Sequence, residues 1–251
     1  LYLRLKGILK DMIIKSPLKY IGIKDIDLLE YDIHKYSVYC EPFGGSFNTG
    51  LKLIQHGYRG EVIYNDKDES VVNFWLQLKN NVNELIDGIT TYKDKIKSFS
   101  DIKTLLDSDD DILRAVGEYF YRKNLTLKGV QKIISNRVSD DEIINLMLIS
   151  VTLPQVKITN TDWKTCLNKI NNKSTFALID PPYMIDNVDK YYREVLLKNV
   201  HYELRDYIGL FRGDWLLTYN NNQEIKNLYR GFNIKEVKPL SFNDKYSELY
   251  I

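Results

Sequence analysis

Five short stretches are dense in β-branched, aromatic and aliphatic residues: Tyr36–Cys40, Glu61–Tyr64, Thr175–Ile179, Asp214–Tyr219 and Phe232–Val237. Each reads as a strand, as does Val156-Lys-Ile-Thr159. Helical patterns lie between several of them, at Ser70–Leu85 and Leu196–Leu210. Strands alternating with helices predict a largely parallel sheet covered by helices on both faces, an α/β architecture. Val82–Ser150 breaks the alternation. It holds polar helix-like segments, the acidic run Asp109–Asp111 and little strand signal, so it reads as a helical insertion between two parts of the scaffold, 1–81 and 151–251.

Composition narrows this picture. A chain of 251 residues suffices for one large α/β domain, or a domain with a small helical insert. With 44% apolar and 27% charged residues it is not a disordered chain. Lys and Arg number 35 against 34 Asp and Glu, which excludes a histone-like basic binder and leaves room for a local basic face. Cys40 and Cys166 lie far apart in sequence with no CxxC spacing, so neither a disulfide framework nor a zinc site is expected; a reducing, cytoplasmic setting fits. His34, His56 and His201 show no ligand spacing and read as structural, so no metal is expected. No run approaches the roughly 18 apolar residues of a membrane span. Leu1–Lys15 is amphipathic with charge among its apolar positions, unlike a signal peptide. Size and charge are compatible with a monomer, and a partner subunit stays open.

The most informative segment is Phe176-Ala-Leu-Ile-Asp180-Pro181-Pro182-Tyr183. An apolar strand runs into a rigid turn in which two prolines remove backbone donors, at the strand end where open α/β sheets bind ligands. Asp180 and the Pro181 carbonyl can each accept a hydrogen bond from a planar amine while Tyr183 stacks on its ring; the bland alternative is a tight turn with a surface tyrosine. Ser37-Val-Tyr-Cys-Glu41-Pro42-Phe43-Gly44-Gly45-Ser46 is a strand, an acid and a glycine turn before a helix, which lets a cofactor approach the backbone. Glu61-Val-Ile-Tyr-Asn65-Asp66 repeats the strand-to-acid pattern. There Asp66 is either a ribose-binding carboxylate or a helix N-cap.

Taken with Pro17-Leu-Lys-Tyr20-Ile-Gly22-Ile-Lys24 and Thr159-Asn-Thr-Asp162-Trp163, these segments in this order resemble the Dam-like (D12 class) adenine-N6 DNA methyltransferases. His201-Tyr-Glu-Leu204, Gly213–Asn220 and Glu248-Leu-Tyr-Ile251 resemble the closing segments of that family. The resemblance implies a Rossmann-like S-adenosylmethionine-dependent sheet of seven strands, acting on DNA. It places Tyr20, Lys24, Glu41, Pro42, Phe43, Gly44, Gly45, Asp66, Asp162 and Asp180 at the cofactor, with Asp66 on the ribose and Asp162 near the adenine. It makes Asp180, Pro181, Pro182 and Tyr183 the catalytic turn, receiving an adenine flipped out of the duplex.

Three positions depart from the family pattern. Ile23 and Phe47 stand where relatives often carry glycine, and Phe47 reads as a core side chain. After Tyr119–Gly129 relatives carry a longer polar segment with a DNA-reading hairpin; only Val130–Gln155 separates that point from the next strand here, so the hairpin is expected to be reduced or absent. Arg122, Lys123, Lys128, Lys132 and Arg137 lie in an acid-free window, Tyr119–Ser139, that reads either as a phosphate-contacting surface or as a solvated helix face.

Overall fold

The computed structural model describes residues 14–20, 26–126, 129–130, 135–184, 193–237 and 247–251. Lys24, Lys128 and Lys132, with Gly22 and Ile23, fall outside the described residues. The strands are β1 (Val38–Glu41), β2 (Glu61–Asn65), β3 (Leu125–Thr126), β4 (Gly129–Val130), β5 (Val156–Thr159), β6 (Thr175–Ile179), β7 (Asp214–Asn220), β8 (Lys235–Val237) and β9 (Glu248–Tyr250). The helices are α1 (Asn48–Gln55), α2 (Glu69–Asn80), α3 (Val82–Tyr92), α4 (Phe99–Leu106), α5 (Asp111–Lys123), α6 (Asp140–Ser150), α7 (Trp163–Asn168), α8 (Lys198–Ile208) and α9 (Gln223–Leu228).

Seven strands form one sheet in the order β5-β2-β1-β6-β7-β9-β8. The five from β5 to β7 are parallel, and β9 runs antiparallel to both β7 and β8. This is a Rossmann-like α/β sheet. The chain leaves β1 toward β2 and β5, then returns to lay β6 and β7 on the other side. The strand order therefore switches direction between β1 and β6, and the crevice that such a switch opens at the carboxyl ends is where ligands bind in open α/β sheets.

Alternation along the strands divides the apolar residues between two cores. Tyr39, Val62, Tyr64, Phe176, Leu178 and Leu216 pack toward α1 and α2. Their neighbours Cys40, Ile63, Ala177, Ile179, Leu217 and Tyr219 pack toward α7, α8 and α9. Cys40 and Cys166, separated by 126 residues, meet in the second core as buried free thiols with their Sγ atoms 3.6 Å apart. Contact between them comes from the packing of α7 on β1 and has no trace in their spacing.

Several expected boundaries shift. The helix expected over Ser70–Leu85 stops at Asn80, because Asn81 leaves helical geometry and its side chain turns back to donate to Gln77 Oε1 at 2.6 Å; α3 then begins at Val82. The strand expected at Phe232 starts only at Lys235. Phe47 is buried as expected, but it also sits at φ +55° before α1, a conformation that suits glycine better than an aromatic residue. Its ring packs edge-on against Tyr64 and Trp75, with centroids 5.1 and 5.9 Å away.

The segment 82–150 comprises α3 to α6 and a two-stranded ribbon, β3–β4, with two residues on each side. Among the described residues this ribbon pairs Leu125 with Val130 and Thr126 with Gly129. Ile86, Ile89, Ile102, Leu105, Val116, Phe120, Leu146 and Ile149 belong to the same core cluster as the sheet residues beside α2. Charge reinforces that joint. Glu118, fully buried on α5, accepts from Arg122 Nε at 2.6 Å and from Arg193 Nη1 at 2.7 Å. Arg122 also reaches Asp68, the N-cap of α2, at 2.9 Å. Burial alone would raise the Glu118 pKa, but the two guanidiniums outweigh it and hold the carboxyl below its ordinary range.

Arg122 is thus corrected as a phosphate contact. It is 2% exposed and spent on Glu118 and Asp68. The acid-free window hid this, because both partners lie outside it. Lys123 is likewise turned onto Glu142, with its side chain only 12% exposed. Glu118→Ala strands two guanidiniums with one carboxylate and is expected to cost about 3–5 kcal/mol in urea unfolding. Arg193→Ala, with a side chain 29% exposed, should cost only about 1 kcal/mol in the same assay.

Candidate active site

The crevice at the switch holds a cavity of about 270 Å³. Tyr20, Glu41, Pro42, Phe43, Gly44, Gly45, Asp66, Asp162, Asp180 and Pro182 all line it. It thereby gathers every described residue expected at the cofactor. Pro181 and Tyr183 lie beyond its wall, so the turn after β6 meets the cavity through Asp180 and Pro182. Tyr183 leans toward Tyr219, with ring centroids 6.1 Å apart, and its hydroxyl donates to Glu248 Oε1 at 3.2 Å.

Asn65, at the end of β2, organises the loops around the cavity. Its buried carboxamide donates to the Pro42 carbonyl at 3.0 Å and the Thr161 carbonyl at 2.9 Å. Its Oδ1 accepts from the Thr161 N–H at 3.0 Å and from the Thr159 and Thr161 hydroxyls, each at 2.8 Å. Its own carbonyl accepts the Gly44 N–H at 2.7 Å. One side chain therefore ties the loops after β1 and β5 to β2.

The glycine turn is shaped by close approach. A Cβ on Gly44 would lie 2.2 Å from the Tyr64 ring, and Gly45 adopts φ +45°. Tyr64 Oη and Trp75 Nε1 both donate to the Gly45 carbonyl, at 3.1 and 3.2 Å. The Gly45 N–H donates to Asp66 Oδ2 at 2.8 Å, while Asp66 Oδ1 accepts the Asp68 N–H at 2.9 Å. The helix N-cap alternative for Asp66 is settled here: the cap of α2 is Asp68, and Asp66 instead bridges turn and helix. Asp162 does cap a helix, accepting from the Lys164 and Thr165 N–H groups at the start of α7. Tyr20 is held over the Arg122 guanidinium, 4.0 Å from its ring centroid.

Six carboxylates line the cavity, those of Glu41, Asp66, Asp68, Asp162, Asp180 and Glu194, and enclosure raises the first three. It raises Glu41 to about 8, against the opposing pull of the Tyr39 hydroxyl at 2.7 Å and the Gly50 N–H, with the Asp180 charge adding to the rise. It raises Asp66 to about 6, although the Asp68 and Gly45 N–H groups pull it down. An acidic wall beside Phe43 and Trp163, whose rings are 6.4 Å apart and tilted 27°, suits a cationic ligand carrying a flat heterocycle. Among the described residues no group of three potential metal ligands converges, and no helix is long and apolar enough to cross a membrane.

Asn65, Arg193, Thr218 and Glu248 were not identified as site residues from the sequence. The Glu118–Arg122 spacing of four on one helix was a readable signal for part of the charged cluster. For Arg193, which arrives after the Asp180–Tyr183 turn, the local sequence carries none. Of the expected phosphate contacts, Arg137 is exposed in the stretch before α6.

Asn65→Asp removes both donors and buries a charge, so it should lower unfolding stability by about 3 kcal/mol in urea. Because folding raises the Glu41 carboxyl from its ordinary 4.5 to about 8, the folded chain retains a proton that the unfolded chain has lost across that window. Stability therefore falls as pH rises through it. Glu41→Gln should flatten that decline, read as melting temperature from about pH 5 to about pH 8.5.

No curated protein matches the chain. A family model does, over residues 20–241, which span the parallel sheet, the helical segment 82–150, the glycine turn and the Asp-Pro-Pro-Tyr turn. With that match covering most of its length, the chain belongs to the D12 class N6 adenine-specific DNA methyltransferases.

Proposed function

We propose that this protein methylates adenine N6 in DNA with S-adenosylmethionine as donor, at a defined sequence, on a base turned out of the duplex toward Asp180-Pro-Pro-Tyr183. The observation that carries this reading is the shared wall at Asp180: one side chain borders the cavity and begins the catalytic turn. The donor set fits the cofactor. Asp66 and Asp162 offer carboxylates to hydroxyl and amine groups, Phe43 and Trp163 offer apolar faces, and Gly44 and Gly45 let a ligand approach the backbone. Glu41, Pro42 and Tyr20 complete the enclosure, and Lys24 is assigned to it by resemblance. When bound, S-adenosylmethionine supplies a sulfonium-activated methyl group as the electrophile.

The adenine N6 lone pair is delocalised into the ring, so the amine needs help to become a nucleophile. Asp180 and the Pro181 carbonyl accept hydrogen bonds from its two N–H groups, which favours a tetrahedral nitrogen with its lone pair directed at the cofactor side, and the proton that the nitrogen sheds on methylation passes to Asp180 and on to solvent. The missing N–H groups of Pro181 and Pro182 leave that turn rich in acceptors and poor in donors. Tyr183 stacks on the base, and its tether to Glu248 limits its swing. Holding amine and donor in line lowers the barrier without a covalent intermediate on the enzyme. The base is reached only once out of the stack. Arg137, with Lys128 and Lys132, is assigned to phosphate contact. The short β3–β4 ribbon favours a limited protein contact with bases in the groove. A cytoplasmic monomer is the proposed working form, in keeping with two buried free thiols in contact.

Asp180→Ala should abolish N6-methyladenine formation, by more than about 100-fold, while the melting temperature stays within a few degrees. Nucleoside mass analysis of unmethylated DNA after incubation checks this; turnover retained by the variant contradicts the mechanism. Run with duplex, single-stranded DNA and RNA in parallel, the same assay should show the duplex as the preferred substrate.

A further inference from the structure

We propose that Thr218 is a positioning residue for the transfer reaction, holding the Asp180 carboxylate in the orientation that accepts the substrate amine. This rests on the function proposed above. β6 and β7 are parallel, with Ile179 beside Leu217, so the register brings Thr218 alongside Asp180 one step beyond the last pair. Alternation sends both side chains to the face of Leu178 and Leu216, the face on which Leu178 lines the cavity. The Thr218 hydroxyl donates to Asp180 Oδ1. Thr218 is itself fully buried, whereas Asp180 is only half-buried.

The chemistry of the site makes this contact matter. An aspartate side chain has two rotatable bonds, and a carboxylate accepts over a broad range of directions. A donor fixed on one oxygen narrows the orientations of its plane relative to the amine. A buried hydroxyl on a neighbouring strand is such a donor, because β-branched threonine on a central strand has a restricted χ1. It also keeps one oxygen engaged by a donor that carries no charge, so Asp180 remains an acceptor. Thr218 touches neither base nor cofactor; it acts through Asp180.

Thr218→Val keeps the shape and the strand preference while deleting the donor, and Thr218→Ser keeps the donor while deleting a methyl group. Both variants are compared with the wild-type protein on duplex DNA, recording N6-methyladenine formation, KM for DNA, S-adenosylmethionine affinity by calorimetry, and melting temperature. Thr218→Val should lower kcat about tenfold with KM and cofactor affinity within about twofold, and Thr218→Ser should recover most of the rate. A rate in Thr218→Val within about twofold of wild type overturns the assignment and leaves the proposed function standing. So does an equal loss of rate in both variants, which would reflect packing alone. If the wild-type protein binds S-adenosylmethionine yet forms no N6-methyladenine on any polymer, the function falls and the positioning role falls with it.

Discussion

The arrangement of the site depends on one buried carboxamide. Asn65 is enclosed at the carboxyl end of β2 and has two amide hydrogens and a carbonyl oxygen to satisfy. Buried polar groups are costly unless paired. Here the partners are loop backbone groups that would otherwise have no regular hydrogen bonds: the Pro42 carbonyl after β1, and the Thr161 N–H and carbonyl after β5. Satisfying Asn65 therefore fixes two loops relative to β2 at once. Glu41, Phe43, Gly44 and Gly45 ride on one of these loops and Asp162 on the other, while Asp66 is the next residue in the chain. Aspartate and leucine approximate the size of Asn65, but neither offers donors and an acceptor together.

A second constraint links the insertion to the sheet. The cluster of Asp68, Glu118, Arg122 and Arg193 contains two acids and two bases in largely buried positions. Such groups are stable inside a protein only as a matched set. They come from the N-cap of α2, from α5 and from the chain after the Asp180–Tyr183 turn, and three of them also border the cavity. The Tyr20 ring lies against Arg122, so the N-terminal wall of the cavity leans on the same cluster. The segment 82–150 is consequently part of the structure that shapes the cavity wall, as well as the bearer of the β3–β4 ribbon.

The topology explains why these parts meet. A right-handed parallel sheet that reverses its order of addition leaves a crevice between β1 and β6. Glu41 closes β1 and Asp180 follows β6, so the two acids flank the crevice from adjacent strands, and the Asp180 charge contributes to the raised pKa of Glu41. The turn itself is braced from the antiparallel side of the sheet. Thr218 on β7 holds Asp180, and Glu248 on β9 holds Tyr183.

Much of this was legible along the chain. Six of the seven strands in the main sheet announce themselves as apolar runs, and the strand-to-acid turns at Glu41, Asp66 and Asp180 mark the cavity, because local chemistry at a strand end is written in consecutive residues. The break at Asn81 and the strand β9 were missed: a side-chain bond to Gln77 stops one, and pairing with β7 creates the other. The reach of Arg122 into the interior, the contact of Cys40 with Cys166, the capping of α2 by Asp68 rather than Asp66, and the bond from Thr218 to Asp180 were decided only by tertiary structure. Each joins residues from separate elements whose facing depends on register and helix rotation. The sequence by itself determined which elements form and which acids stand at their ends; the packing of those elements decided which side chains meet, since a buried charge or hydroxyl is placed by the partner that satisfies it.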